Sequence, residues 1–154
     1  MLKKTLFFAI LAISLLYHAC DDKAVCTEMA TAYLQTGFYK AIEGEEQDSA
    51  LDNVTVYGLG IPEPVIQNDS NVKQLKLPLN FSSDHSVFVI TNDTVSDTLY
   101  LTYDTTLTFV SYECGFAPSY DIQDVGSSNN GFDSVIIVKS LVETDDDENI
   151  KIYL

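Results

Sequence analysis

The chain has 154 residues, with 8 basic and 23 acidic side chains and a formal charge of −15. That length argues for one domain, and the charge excludes a reader of nucleic acid, more so because every basic residue is lysine and no arginine fork exists for phosphate. A hydrophobic share of 46 %, with nine Tyr and eight Phe, excludes disorder of the whole chain and supplies a core.

Lys3 and Lys4 precede an apolar run over residues 6–16. Eleven residues are too few to span a bilayer, for which about 20 are needed, so residues 1–19 read as a secretory signal peptide. It ends at Tyr17-His18-Ala19-Cys20, which resembles the cleavage box of bacterial lipoproteins, with Cys20 as the acylated mature N-terminus. Tyr17 and His18 depart from the aliphatic and small residues usual in that box, and ordinary secretion is the competing reading. An acidic tether follows over residues 20–27, where Asp21 and Asp22 resemble the export tag of Bacteroidota outer-membrane lipoproteins or serve only as a solvated linker. Losing the leader removes two lysines and no acid, so residues 20–154 keep six lysines against 23 acids, a charge of −17.

Three cysteines in a secreted chain leave one to explain. Acylation of Cys20 leaves Cys26 and Cys114 as a pair, and an oxidising compartment favours a disulfide between them over two buried thiols. Closing that loop stabilises by about 4 to 5 kcal/mol in the chain-entropy model.

Beyond Cys26 the pattern has period two, apart from a short helix that residues 27–32 can form. Strands are expected over residues 32–42, then 51–59 after an acidic loop at 43–48. The clearest is 72–81, where Leu75, Leu77, Leu79 and Phe81 alternate with polar residues. Pro78 lacks an N–H and places this strand at a sheet edge. Strands over 86–91, 98–103 and 107–114 follow, with turns at 92–97 and at Asp104-Thr105-Thr106. Residues 116–131 read as a long loop. Residues 132–142 read as one strand buried on both faces, near a sheet centre, because of Val135-Ile136-Ile137-Val138. An acidic turn at 145–149 leads to a last strand over 150–154. The fold expected over residues 28–154 is all-β, a single antiparallel β-sandwich of seven or eight strands.

Few chemistries suit these residues. His85 is the one histidine beyond the leader, in Ser82-Ser83-Asp84-His85-Ser86, and no G-x-S-x-G elbow supports it as a catalytic base. Carboxylates are too numerous for any pair to mark a glycosidase, and no tryptophan is present to stack on sugar. The acids at 145–149 and 124–133 offer oxygen ligands for calcium without EF-hand spacing, and equally suit solvated turns. Asp-Ser/Thr tripeptides at Ser49, Thr94, Thr98, Thr105 and Ser134 resemble the O-glycosylation acceptor of Bacteroidota envelope proteins, with turn chemistry as the alternative. No metal site or cofactor is implied.

Cys20, Cys26, the Leu77-Pro78-Leu79 strand and Val110-Ser111-Tyr112-Glu113-Cys114-Gly115-Phe116 together resemble a domain-of-unknown-function family of small Bacteroidota envelope lipoproteins, over essentially the whole mature chain. The resemblance implies an envelope location and a compact β-rich domain, and no activity, substrate or catalytic residue. The expected function is a non-enzymatic, lipid-anchored interaction or accessory module of the cell envelope, at the outer membrane. Its partners would be the membrane, through the lipid, and an envelope protein. The alternatives are a calcium- or carbohydrate-binding surface module using residues 116–131 with Tyr120, and a hydrolase using His85.

Overall fold

The computed structural model describes residues 31–112 and 114–154. The expected signal peptide and tether, Cys20, Cys26 and most of the expected short helix lie outside the described residues. Among the described residues there is no helix; eleven strands follow in order: β1 (Tyr33–Ile42), β2 (Glu45–Asp48), β3 (Val54–Gly58), β4 (Pro64–Asp69), β5 (Gln74–Pro78), β6 (His85–Thr91), β7 (Ser96–Ser111), β8 (Gly115–Ser127), β9 (Ser134–Ile137), β10 (Leu141–Val142) and β11 (Ile150–Tyr153).

They make two sheets. In the first, β2 and β5 pair with the two halves of β1, β11 pairs with β1, and β9 pairs with β11. The second runs β10-β8-β7-β6-β3-β4. Leu34, Phe38, Leu75, Leu77, Ile150 and Ile152 of the first join Val56, Phe88, Ile90, Leu99, Leu101 and Tyr103 of the second in one core. Each such aliphatic side chain contributes about 2 kcal/mol of burial. β5 carries the expected alternation, with Leu75 and Leu77 inside and Pro78 on a strand paired with β1 alone, opposite Tyr33.

Several expectations are corrected. The strands number eleven rather than seven or eight, and the sheets are not wholly antiparallel, since β11 runs parallel to β1 with Phe38 opposite Ile152. Residues 43–48 are no simple loop. Glu43 and Gly44 both take positive φ, the two-residue I′ geometry that suits strand twist, and turn β1 directly into β2. Asp104-Thr105-Thr106 is not a turn either. It lies inside the 16-residue β7, with Asp104 opposite Asp121 and Thr105 opposite Tyr120; threonine favours strands, and the pairing with β8 overrides the polar cue.

Residues 116–131 are mostly strand rather than loop, since β8 takes up residues 115–127. A β-bulge hid the pattern: Thr102 faces Asp124 while Tyr103 faces Ile122, so Gln123 is the extra residue and the apolar alternation skips a place. The expected central strand over 132–142 splits into β9 and β10, each at the edge of a different sheet, with Ile136, Ile137 and Val138 exposed. A β-branched run reports strand propensity and does not by itself report burial. Buried Asn149 pins the crossing between them: its amide donates to the carbonyls of Lys139 and Leu141, and its Oδ1 accepts from Gln35 N.

Candidate functional site

Where the end of β3 meets the end of β5 and the start of β6, a cleft of about 590 Å³ opens between the two sheets. One wall is the turn after β3. Leu59 N donates to Val87 O at 2.9 Å, Ile61 N donates to Gly58 O at 3.1 Å, and Gly60 takes φ +82°. Gly58 allows this turn to fold back, because a Cβ there would come within 2.8 Å of Ile61 Cδ1. The opposite wall is residues 78–81, held by buried Tyr103: its hydroxyl donates to Asn80 O and accepts from Asn80 N, both at 3.0 Å, and lies 2.7 Å from Ser86 Oγ. Anchored in this way, Leu59, Ile61 and Phe81 stand 73 %, 50 % and 51 % exposed around the opening.

His85 opens β6 at the mouth of this cleft. Its Nδ1 lies 2.8 Å from Asp84 Oδ1 and 3.0 Å from Ser83 Oγ. The hydrogen bond to His85 holds the Asp84 carboxyl below its usual range. Both partners address the same ring nitrogen, whereas a serine relay needs acid and nucleophile on opposite nitrogens. The arrangement orients a histidine; it does not activate Ser83.

The other residues singled out in the sequence are scattered. Tyr120 is buried, with its hydroxyl 3.4 Å from Leu79 O and its ring edge-on to Tyr103, so it does not serve a surface ligand. Asp145 and Asp147 both grip Lys139 Nζ, at 2.5 and 2.9 Å, and raise the ammonium pKa. Among the described residues no group of three or more His, Cys, Asp or Glu is placed to hold a metal. Of the acceptor hydroxyls, Thr94 and Ser134 are exposed, Thr98 is half-buried in β7, Ser49 is buried, and the Thr105 hydroxyl is enclosed.

Asp97, within one of those tripeptides, is 1 % exposed. Its Oδ2 accepts from the backbone of Asn130, Gly131 and Phe132, each at 2.9 Å, and its Oδ1 accepts from Thr98 N, Ser128 N and Ser128 Oγ. Burial alone would raise its pKa. The hydrogen bonds from Ser128, Phe132, Gly131 and Thr98 outweigh that, and the carboxyl titrates below its ordinary value.

A second exposed feature is the β7–β8 hairpin. β6 reaches only Thr102 and β10 only Tyr120, so the outer hairpin is a two-stranded ribbon. Phe109 packs edge-on against Tyr112 at 5.4 Å and Phe116 at 5.5 Å near its tip. Cys114, in the turn, donates its N–H to Ser111 Oγ at 3.0 Å and is disulfide-bonded; the other half of that bond lies outside the described residues.

Sequence reasoning missed the cleft, although a signal was present: Leu59 and Ile61 are large apolar residues set among Gly58, Gly60 and Pro62, where turn chemistry calls for polar ones.

No curated protein and no solved structure matches the chain. A family model does, over residues 53–154. That span takes in Leu77-Pro78-Leu79 and Cys114 but not Cys20 or Cys26, so it is shorter than the essentially whole-chain resemblance expected. From just before β3 to Leu154, the chain belongs to a family of unknown function, DUF6452.

Proposed function

We propose that this protein is a non-enzymatic module of the cell envelope, anchored at the outer membrane by a lipid on Cys20, that binds an apolar segment of an envelope partner protein in the cleft. The observation that carries this reading is the ring of exposed Leu59, Ile61 and Phe81 around a cleft whose size suits a ligand site, roughly 300 to 1,000 Å³. Asp84 stands in the chain between the lining residues Ser83 and His85, and the mature charge is −17, so the segment that fits is apolar with basic neighbours. Asp84 and Ser83 both partner the same nitrogen of His85, which favours binding over catalysis. A disulfide at Cys114, with Cys20 acylated, makes Cys26 its partner. The shared core of the two sheets supports a sandwich, and Thr94 and Ser134 remain as glycan acceptors.

The test places a photo-crosslinking residue at Phe81 and, as control, at Tyr57 in intact envelopes. A discrete adduct at Phe81, absent at Tyr57 and lost on Leu59→Asp, is expected. Equal or no crosslinking at the two positions would overturn the reading. For the anchor, Cys20→Ser should move the protein from the membrane to the soluble fraction. Retention on the membrane with unchanged mass after lipid extraction would remove the lipoprotein claim.

A further inference from the structure

We propose that the tip of the β7–β8 hairpin rests in the interface of the same bilayer that anchors the chain, as a second membrane contact. The proposal builds on the lipid anchor. Four observations converge on it. Beyond Thr102 and Tyr120 the ribbon has left both neighbouring strands, so its end stands clear of the sheet. Leu107, Phe109, Tyr112 and Phe116 are exposed there, Tyr112 at 95 %, and three of the four are aromatic.

Charge is withdrawn from the same stretch. Between Asp104 and Asp121 the sequence holds one charged side chain, Glu113, in sixteen residues, against 23 acids and six lysines over residues 20–154. The remaining polar groups on that stretch are mostly threonine and serine hydroxyls. Aromatic rings with hydroxyl-bearing neighbours are the chemistry of a headgroup layer, where Tyr and Trp concentrate.

The disulfide supplies the distance. Cys114 sits at the tip and is bonded. With Cys26 as its partner, the tip is bonded to a residue six positions after an acylated Cys20, at most about 20 Å of extended chain. The ribbon is therefore tied down beside the lipid. A protein occupant fits less well: four side chains at these exposures offer about 500 Å², short of the roughly 800 Å² per partner of a standard interface.

The chain has no tryptophan, so a single one reports its own surroundings. Tyr112→Trp and Phe116→Trp, with Tyr57→Trp as control, are made in the full-length protein, purified from membranes with its lipid and reconstituted in phosphatidylcholine vesicles. Tyr112 is almost wholly exposed, so folding is not at stake in its replacement. The expected result is a blue shift on reconstitution and at least twofold quenching by brominated acyl chains at Tyr112→Trp and Phe116→Trp, with neither at Tyr57→Trp. Protein that floats with vesicles yet shows no quenching at the tip overturns the proposal and leaves the anchor standing. Protein that does not float refutes the anchor and the tip contact together. A blue shift that depends on protein concentration without lipid, with no quenching in vesicles, assigns the tip to a second copy and also overturns the proposal.

Discussion

Replacing Asp97 by Asn keeps the size of a buried side chain and removes one acceptor. The carboxylate holds six donors, three on each oxygen, and five of them are backbone N–H groups, of Thr98, Ser128, Asn130, Gly131 and Phe132. An amide turns its NH₂ toward three of the six. Each buried donor left without a partner costs about 1 to 3 kcal/mol, part of which is recovered as the loop relaxes. Relaxation is limited here because Gly131 lies against Val95, where a Cβ would come within 2.3 Å of Cγ1. A net loss of about 3 kcal/mol is expected, or about 10 °C in Tm for a domain of this size. Thermal unfolding of the purified protein by circular dichroism reads this directly, with exposed Asp124→Asn as a control that stays within about 0.5 kcal/mol. The pH dependence has a definite sign. The folded pKa of Asp97 lies below the unfolded value of about 3.9, so its contribution is complete above the unfolded pKa and lost as pH falls through the folded one. The gap between wild type and Asp97→Asn should therefore be constant at neutral pH and shrink below about pH 4. Equal Tm values at pH 7, or a gap unchanged down to pH 2, would refute the cage as a source of stability.

Tyr103→Phe should cost about 1 to 2 kcal/mol, because it removes the hydroxyl that donates to Asn80 O and pairs with buried Ser86 Oγ, although Asn80 N keeps Ser86 Oγ at 3.2 Å; urea denaturation with an unchanged m-value checks this. Leu101→Ala should cost about 2 to 5 kcal/mol by leaving a cavity in the shared core, whereas Leu59→Ala should leave stability nearly unchanged while abolishing crosslinking at Phe81. Gly44→Val should cost about 1 to 2 kcal/mol, since φ +85° suits glycine alone, and the same denaturation curve reads it. Glu148→Gln should bring down the raised phenol pKa of Tyr39, which burial, the Glu148 hydrogen bond and the Glu148 charge together push up; ultraviolet difference titration shows a lower midpoint, and no change would exclude Glu148 as a cause.

Strand character was legible wherever alternation ran unbroken. Leu75 and Leu77 declared their strand and its buried face, and Pro78 declared an edge, because the missing N–H is a property of that residue alone. Legibility failed where a partner strand decided. β7 runs straight through Asp104-Thr105-Thr106 because β8 pairs with it, and the bulge at Gln123 disguised β8 as a loop. The cleft combines a turn at residues 59–61 with residues 78–88, and no local pattern links the two.

The sequence by itself therefore determined the all-β class, the acidic and arginine-free composition and the edge position of Pro78. The tertiary structure decided the parallel pairing of β1 with β11, the exposure of Ile136 to Val138, the burial of Tyr120 and the six-donor cage around Asp97. Alternation, charge and missing donors are carried by neighbouring residues. Pairing partner and the satisfaction of a buried carboxylate depend on residues some 30 to 110 positions away along the chain, which only the folded chain brings together.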